Sequence, residues 1–426
     1  MIPIAPNIPQ HQAARGMHDL LTPKSADYTS IEARARVLCA NYGFKEIRTP
    51  VLEPLGLFQR ALGETTDIVE KEMFTLEDRG ERELCLRPEG TAGAVRAYIE
   101  HSLDKQGGPV KLFYIGPMFR AEKPQAGRLR EFVQIGCEYF GNSDASADAE
   151  TLLLMSDILK AAGLTEFQIH LNSIGCTDCR PAFKQALVQY LNEIKEQLCA
   201  NCRRRMERNP LRVLDCKEDR EQLRAAPKTL DYLCAPCAAH QENLSQLLAA
   251  TQVSYTLLPH LVRGLDYYNR SVFEFFPTSK TGSQDALAAG GRYDGLVQTL
   301  GGSPTPAVGF AMGLERVWNL VKGQTAPEAR PGTFVAALGA LAQAPAFKIL
   351  SALRKNGLWA EAALNKQSLK AQMRLANSLG MRYCVLIGEN EMQEGVVALK
   401  DLVEQSQTKV PAEQIVELLK EKTGRG

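Results

Sequence analysis

Charged residues of both signs are concentrated between two apolar segments in the first third of the chain. Residues Val110–Ile115 and Glu131–Phe140 have the composition of paired strands, and the connection between them contains Arg120, Glu122, Lys123, Arg128 and Arg130. A guanidinium offers a fixed fork of donors that matches phosphate oxygens, and it keeps its charge at neutral pH. Arg120, where a strand gives way to a loop, is therefore a candidate for holding a nucleotide α-phosphate. The alternative is a charged hairpin exposed to solvent.

A second group of polar residues lies in two short apolar segments, Leu261–Tyr268 and Gly290–Gly295. Together they carry two arginines, two aspartates and three tyrosines: Arg263, Arg292, Asp266, Asp294, Tyr267, Tyr268 and Tyr293. Buried charges and tyrosine hydroxyls need partners, so this set is unusual for plain core strands and suits a site around a polar, ring-shaped ligand. A pair of edge strands with one polar face is the other interpretation.

Cysteines are the third group. Three C-x-x-C pairs, Cys176/Cys179, Cys199/Cys202 and Cys234/Cys237, lie in one segment, with Cys216 between the second and third pairs. Two such pairs make a tetrahedral four-thiolate zinc site. The alternative is a set of reduced, partly buried thiols. Sequence does not decide which pairs meet, and seven thiols do not divide into fours, so we expect one site rather than two.

The elements that position these groups follow from periodicity. We predict a helix over Ser30–Asn41 followed by a strand ending at Pro50, a helix over Thr91–His101, and a helix over Ala147–Ala162. Strands are predicted at 167–172, 257–265, 271–276 and 286–289, and a helix that starts near Gly309 carries Gly313 and Arg316. The Cys-rich stretch from Cys176 to about Glu242 is a predicted helical insertion. A Pro- and Gly-rich linker, 323–332, precedes about 95 residues of alternating strands and helices, which predict a separate α/β domain with a mostly parallel sheet.

Composition excludes several classes of protein. The chain has 426 residues, 45% of them apolar, and a formal net charge of +1. This composition excludes collagen-like and intrinsically disordered chains, and a neutral charge argues against strong, indiscriminate nucleic-acid binding. No uncharged segment reaches the roughly 20 apolar residues of a membrane span. The first residues have no secretory signal pattern, so we expect a cytoplasmic protein with free or metal-bound thiols.

Taken together, the segments resemble the three signature motifs of class II aminoacyl-tRNA synthetases: a motif 1 strand ending at Pro50, a motif 2 hairpin opening with Phe119-Arg120, and a motif 3 helix with Gly313-Leu314-Glu315-Arg316. Arg15–Leu20, Arg87–Thr91, Leu261–Tyr268 and Gly290–Gly295 are similar to signatures of the histidyl-tRNA synthetase family. The resemblance covers essentially the whole chain. One departure is Thr22, where the family commonly has Pro, and we expect little consequence.

The resemblance implies an α+β fold. Residues 1–325 would form a class II catalytic domain built on an antiparallel sheet, with a helical insertion at about 174–247, and residues 331–426 an α/β anticodon-binding domain. It also implies a homodimer that activates histidine with ATP and Mg²⁺ to histidyl-adenylate and transfers the histidyl group to tRNA(His). The arginine run that follows Cys202 (Arg203, Arg204, Arg205, Arg208 and Arg212) would contact the tRNA acceptor arm or form a solvated helix face. In the last domain Lys and Arg outnumber Asp and Glu by twelve to nine, which suits reading of single-stranded bases.

Site residues follow from the same motifs. Arg120 would hold the α-phosphate and the substrate carboxylate, Arg263 would also reach the α-phosphate, and Arg316 would hold the γ-phosphate. The expected histidine-binding set is Glu89, Gly90, Thr91, Arg120, Gln134, Glu138, Arg263, Tyr267, Tyr268 and Tyr293. Within it, Glu89, Thr91 and Gln134 would bind the ammonium group, and Glu138 and Tyr268 would bracket the imidazole.

Two alternatives were weighed against this function. Synthetase-like chains also serve as regulatory subunits of ATP phosphoribosyltransferase, but those typically lack the C-terminal domain and degrade the Leu261–Tyr268 motif. A glycosidase site built on Glu89 and Glu138 is disfavoured, because the flanking arginines would keep both carboxylates ionised and leave no proton donor.

Overall fold

In the computed structural model, the described residues are 12–63, 66, 68–124, 128–265, 267–278, 286–322, 331–363 and 368–424. The chain divides into two compact units, Met1–Thr325 and Ala326–Gly426. The greater part of the predicted linker and Asp266 of the tyrosine motif lie outside the described residues. No helix in the described ranges is long and apolar enough to span a membrane.

The first unit is built on an eight-stranded sheet in the order β1-β5-β6-β11-β10-β9-β7-β8 and a three-stranded sheet in the order β2-β4-β3. Its strands are β1 (Lys45–Glu46), β2 (Leu52–Pro54), β3 (Thr75–Glu77), β4 (Glu83–Leu86), β5 (Val110–Phe119), β6 (Glu131–Phe140), β7 (Phe167–Ser173), β8 (Thr256–Leu257), β9 (Asn269–Pro277), β10 (Ala288–Arg292) and β11 (Ala307–Gly313). Pairing is antiparallel apart from the outer pairs β1/β5 and β7/β8. The predicted antiparallel catalytic sheet is therefore confirmed.

Helices cover this sheet and form the insertion. They are α1 (Lys24–Asn41), α2 (Leu55–Leu62), α3 (Thr91–Glu100), α4 (Ala145–Ala161), α5 (Arg180–Glu193), α6 (Ala200–Arg208), α7 (Ala235–Ala250), α8 (Leu296–Thr299) and α9 (Leu314–Val321). The main core packs α1, α4 and α9 against the central strands, with fully buried Leu152, Met155 and Phe273 among its members. Burial of such apolar side chains, at about 25 cal/mol per Å², is the main force that holds the layers together.

The insertion leaves the sheet after β7 and contains α5, α6 and α7, with short 3₁₀ helices between the last two. It has a small core of its own, in which Phe183, Leu187 and Leu191 of α5 pack against Val213 and Leu223. The second half of α7 belongs elsewhere, since Leu244 and Leu248 are buried in the main core. The insertion is therefore anchored to the catalytic unit through α7.

Four local predictions were wrong. The strand predicted to end at Pro50 ends at Glu46. Residues Ala307–Gly313 form strand β11, and the helix begins at Leu314 rather than near Gly309. The strand predicted at 257–265 ends at Leu257. The sheet of the second unit is mixed rather than mostly parallel, because only two of its four strand pairs are parallel.

The second unit alternates strands and helices as predicted. Its elements are β12 (Thr333–Ala337), α10 (Gln343–Lys355), β13 (Ala360–Ala362), α11 (Leu369–Ser378), β14 (Tyr383–Ile387), α12 (Glu389–Glu394), β15 (Val396–Asp401), β16 (Ser406–Pro411) and α13 (Ile415–Lys422). The strand order is β13-β12-β14-β15-β16. Helices α10 and α13 pack on one core with Leu350, Leu353 and Leu419, and α11 packs on another with Ala376. The sheet is therefore a layer between two apolar clusters.

Candidate active site

A cavity of about 370 Å³ opens on the central strands of the eight-stranded sheet. The structure brings ten of the predicted site residues to its wall: Glu89, Thr91, Arg120, Gln134, Glu138, Arg263, Tyr267, Tyr268, Tyr293 and Arg316. Gly90 is the one predicted residue that does not line it. A side chain at Gly90 would overlap the ring of Tyr114, so its role here is to make room for that tyrosine.

Glu138 forms the floor of the cavity. It lies on β6 opposite Gly309 of β11, and a side chain at Gly309 would overlap the Glu138 carboxylate. The Tyr293 hydroxyl donates to Glu138 Oε2, and the Tyr114 hydroxyl donates to Oε1 at 3.2 Å. A fully buried carboxyl group is thus fixed by two tyrosines and given space by a glycine.

The surroundings of Glu138 change its acidity. Burial raises its pKa from 4.5 to about 8, although the Tyr293 hydroxyl stabilises the ionised form and lowers the pKa in part. The nearby Glu89 carboxylate works in the same direction as burial. At neutral pH Glu138 is therefore protonated, and it can donate a hydrogen bond as well as accept one. The expectation that flanking arginines keep both Glu89 and Glu138 ionised was wrong for Glu138, because burial has the largest effect on its pKa.

Glu89 lies at the first turn of α3. Its Oε2 accepts the Thr91 amide at 2.8 Å and its Oε1 accepts the Ala92 amide at 2.8 Å. A carboxylate at a helix N-terminus is stabilised by these amides and by the helix dipole. Burial nevertheless raises the pKa of Glu89. Nearby, the buried Oε1 of Gln134 has no hydrogen-bond partner within the described part of the chain, so an acceptor for an N–H donor lies ready at this end of the cavity.

Cationic residues also line the cavity. The Nε of Arg120 donates to the Pro88 carbonyl oxygen at 3.0 Å, and the Nη1 of Arg316 donates to the Ala286 carbonyl oxygen at 2.7 Å. Arg263 forms an ion pair with Glu274 of β9. The backbone contacts of Arg120 and Arg316 fix the direction of their guanidinium groups, whose fork of N–H donors matches phosphate oxygens.

Arg292 does not belong to the cavity, contrary to the interpretation that both arginines of the tyrosine motifs surround a ligand. It is fully buried on the other side of β10, where it pairs with Asp148 of α4 and with Asp294 at 3.1 Å. Its Nη1 and Nη2 also donate to the carbonyl oxygens of Asn142 and Asp144. Arg292 therefore joins α4 to the sheet.

Sequence reasoning missed four residues of the site. Tyr114 lies opposite Gly136 in the β5/β6 pair. An aromatic residue opposite a glycine would indicate a packed ring, but the sequence alone does not show which residues of the two strands are paired. Glu274 pairs with Arg263. Asp215 and Lys217 reach the cavity from the insertion. In the sequence, the one feature that could have drawn attention to them is that they are charged residues on either side of Cys216. Burial raises the pKa of Asp215, and nearby cations, Arg263 first among them, oppose this.

The insertion cysteines form two clusters, one of them with four thiols. The first and third C-x-x-C pairs meet, with the Cys176 Sγ 3.7 Å from both the Cys179 and Cys234 Sγ atoms. We call this group, with Cys237, the four-cysteine cluster. Cys199, Cys202 and Cys216 meet Asp219, and we call this group the three-cysteine cluster. The four-cysteine cluster fits the expectation of a single four-thiolate site, whereas the three-cysteine cluster, which includes a carboxylate, was not foreseen from the count of thiols.

Comparisons with known proteins agree with this architecture. A family model described as histidyl-tRNA synthetase matches residues 16–317, and one described as an anticodon binding domain matches residues 333–422. A histidine–tRNA ligase of Desulfitobacterium hafniense (strain DSM 10664 / DCB-2) is 46% identical over 413 residues, which cover 96% of this chain and 97% of that protein. The corresponding protein of Anaeromyxobacter dehalogenans is 47% identical over 400 residues, 93% of this chain and 96% of that one.

A solved structure is also similar over the whole chain. The apo histidyl-tRNA synthetase of S. aureus superposes with a TM-score of 0.82 at 32% identity, covering 96% of this chain and 100% of that chain. Both the sequence match and the structural match extend through the catalytic unit and the C-terminal unit. The chain therefore belongs to the histidyl-tRNA synthetase family.

Proposed function

We propose that the chain activates histidine with ATP to form histidyl-adenylate and pyrophosphate, and then transfers the histidyl group to the 3′ end of tRNA(His). The observation that carries the proposal is the cavity itself, because the buried Glu138 carboxyl group and the guanidinium groups of Arg120, Arg263 and Arg316 line the same cavity. The regulatory-subunit alternative is not favoured, because relatives at 46% identity over nearly the whole chain are named ligases.

The imidazole would lie against Glu138 and Tyr268. A neutral imidazole has one donor and one acceptor nitrogen, and it needs a partner for each. The protonated Glu138 and the ring share one proton across a strong hydrogen bond, and the Tyr268 hydroxyl serves the second nitrogen. Tyr267 and Tyr293 line the pocket, with their ring centroids 5.6 Å apart. An apolar isostere of histidine would leave these buried polar groups unpaired, which supplies the selectivity.

The histidine ammonium group would bind Glu89, Thr91 and the unpartnered Oε1 of Gln134. This places the substrate carboxylate beside Arg120. Carboxylate attack on the ATP α-phosphorus then forms the acyl phosphate bond as the bond to pyrophosphate breaks. Arg120 and Arg263 would stabilise the charge on the α-phosphate, and Arg316 would hold the γ-phosphate. Mg²⁺ accompanies the β- and γ-phosphates, and cavity carboxylates such as Glu122 are the hard oxygen ligands that this ion accepts.

The remaining parts of the chain would serve tRNA binding. We infer that residues 1–325 catalyse both steps and that residues 331–426 read the anticodon, in line with the anticodon-binding match at 333–422. The insertion, at about 174–247, would approach the acceptor arm. In it, Arg204, Arg205, Arg208 and Arg212 line a shared cavity, and Arg208 pairs with Glu70 of the catalytic unit at 3.2 Å.

We also infer that the four-cysteine cluster binds one structural Zn²⁺. Tetrahedral zinc with Zn–S bonds of about 2.3 Å separates its sulfur atoms by about 3.8 Å. The Cys176–Cys179 and Cys176–Cys234 distances of 3.7 Å match this value. Metal analysis that finds well under one zinc per chain would contradict this site.

None of the eleven cysteines, all of which lie within the described residues, forms a disulfide bond, which supports a reducing, cytoplasmic location.

A homodimer is proposed on the family resemblance and on one exposed surface. Leu52, Leu76, Leu84 and Leu86 share one face of the three-stranded sheet, because the register pairs Leu52 with Leu86 and Leu76 with Leu84. Leu52 is 43% exposed and Leu76 is 40% exposed, while the opposite face holds fully buried Cys85. A second copy of the chain would cover these leucines. Leu52→Lys should shift the mass measured by analytical ultracentrifugation from dimer to monomer, whereas an unchanged mass would remove this face from the interface.

Amino-acid-dependent ATP–pyrophosphate exchange with all twenty amino acids in parallel tests the central proposal. We expect exchange with histidine alone, because the other side chains cannot satisfy Glu138 and Tyr268 together. Exchange with a different amino acid would overturn the assignment of the pocket. No exchange in folded protein would restore the regulatory-subunit alternative.

A further inference from the structure

The three-cysteine cluster has the geometry of a second metal site. Its four ligand atoms, from Cys199, Cys202, Cys216 and Asp219, lie within 4.8 Å of one another. The Cys199 and Cys216 Sγ atoms are 3.9 Å apart, near the value of about 3.8 Å for two thiolates on one tetrahedral zinc ion. A disulfide bond between them would need sulfur atoms about 2.05 Å apart. The spacing therefore fits ligands around an ion.

Asp219 gives an independent reason for a cation at this point. Its side chain is 3% exposed, and its Oδ1 and Oδ2 both accept the Cys199 amide, at 3.0 and 3.1 Å. No lysine or arginine pairs with Asp219 among the residues that the structure describes. A buried carboxylate without a cationic partner is costly. A divalent ion in the cluster would coordinate the Asp219 carboxylate directly, while the three thiols would release their protons on binding.

The same short segment also reaches the active site. Cys216 is a member of the cluster, and the residues on either side of it, Asp215 and Lys217, line the catalytic cavity together with Arg263. Three consecutive residues thus alternate between the cluster and the cavity wall. The segment follows the 3₁₀ helix Pro210–Val213 and has no strand or α-helix of its own to hold it there. The contact of Cys216 with Cys199 therefore helps to hold the segment in place.

We propose that the three-cysteine cluster binds a divalent zinc ion, and that this ion holds Asp215 and Lys217 against the part of the cavity where ATP is activated. The positioning of Asp215 and Lys217 rests on the proposed function, whereas the metal site does not. Lys217 adds a positive charge beside Arg263, so loss of the ion would weaken binding of the triphosphate more than binding of histidine. The ion takes no part in the chemical step and acts by positioning.

Metal content of the purified full-length chain tests the site. We expect two zinc ions per chain in the wild type, one in Cys216→Ser, and two in Cys384→Ala, which removes a buried thiol of the second unit as a control. Replacement of zinc by cobalt adds a spectroscopic measure. The thiolate-to-cobalt absorbance of the wild type should correspond to seven thiolate ligands, and that of Cys216→Ser to the four of the four-cysteine cluster. A Cys216→Ser protein with the wild-type metal content would overturn the site. One ion in the wild type and none in Cys216→Ser would instead overturn the four-cysteine cluster and leave this site standing.

Exchange kinetics test the positioning. Loss of a supporting contact typically costs about tenfold, so the KM for ATP should rise by about tenfold in Cys216→Ser while the KM for histidine changes by less than about twofold. Asp219→Asn is a second, milder variant, because the asparagine oxygen can still accept the Cys199 amide. We expect it to lose its second ion to a chelator before the wild type does. Circular dichroism shows whether both variants are folded. One ion fewer with an unchanged KM for ATP would overturn the positioning role. A wild type without any exchange would contradict the proposed function, and the metal counts would still decide the site.

Discussion

Replacement of Glu138 by glutamine tests the electrostatics of the pocket most directly. Burial raises the pKa of Glu138 from 4.5 to about 8. In the unfolded chain the carboxyl group ionises near its ordinary pKa, so between these two pH values the folded state retains a proton that the unfolded state has released. The free energy of unfolding must therefore fall as pH rises through this range. Glutamine has nearly the same shape and does not ionise, so the variant lacks this loss.

The size of the effect follows from the pKa difference of about 3.5, which corresponds to about 5 kcal/mol at about 1.4 kcal/mol per pH unit. At pH 6 the raised pKa lowers the free energy of unfolding of the wild type by about 2 kcal/mol, and at pH 9 by nearly the full amount of about 5 kcal/mol. The stability difference between Glu138→Gln and the wild type should therefore grow by about 3 kcal/mol from pH 6 to pH 9. Any constant cost of the new amide group cancels in this comparison.

Trp318 provides the assay. The chain has two tryptophans, and Trp318 lies on α9 in the catalytic unit, where its Nε1 donates to Asp27 at 2.9 Å. In a Trp359→Phe background its fluorescence reports urea unfolding of the catalytic unit alone. A stability difference that changes by less than about 0.5 kcal/mol between pH 6 and pH 9 would refute a raised pKa for Glu138, since the linkage relation requires that change. In a Tyr293→Phe background, the loss of stability caused by the raised pKa of Glu138 should extend to higher pH, because the Tyr293 hydroxyl stabilises the ionised carboxylate.

Three further predictions use the same measurements. Gly309→Ala places a methyl group on the Glu138 carboxylate, so the KM for histidine in pyrophosphate exchange should rise about tenfold or more, and an unchanged KM would show that the carboxyl group is mobile. Arg263→Ala should abolish exchange while circular dichroism stays unchanged, and normal exchange would remove Arg263 from the reaction. Arg292→Leu removes the arginine partner of the buried Asp148, whose Oδ2 keeps the His240 Nε2 at 3.3 Å, and should destabilise the catalytic unit by about 3–5 kcal/mol by Trp318 fluorescence. The double variant with Asp148→Leu should recover part of this loss, and equal losses would argue against the pairing of Arg292 with Asp148.

The sequence predicted the antiparallel sheet, the separate C-terminal α/β domain and ten residues that line the cavity. The C-terminal α/β domain rests on local signals, namely apolar alternation and turn residues. The antiparallel catalytic sheet and the ten cavity residues were instead implied by the resemblance of several motifs to a known family. The wrong prediction at Gly309 shows where local signals end. Two glycines four residues apart suit a closely packed helix, and the strand is decided by a partner, Glu138, that is more than 150 residues away in the chain.

The metal clusters show the same limit. The spacing of each C-x-x-C pair is local, but the choice of partner pair is set by the path of the whole insertion. Asp219 carries no motif, so its place in the three-cysteine cluster becomes visible only when the chain is folded. Tyr114 and Lys217 were missed for a similar reason, because their roles depend on which strand or loop they face.

The meeting of Cys176 and Cys234 also bears on the order of folding. Strands β7 and β9 are neighbours in the sheet, with Ser173 opposite Ser271, yet roughly a hundred residues separate them. Once the insertion has brought its two ends together, the free chain that remains to be closed shortens to about 40 residues, which lowers the entropy cost of closure by about 0.8 kcal/mol. An insertion that folds early therefore makes the pairing of these strands about four times more probable, and the sheet that carries the catalytic cavity is completed around it.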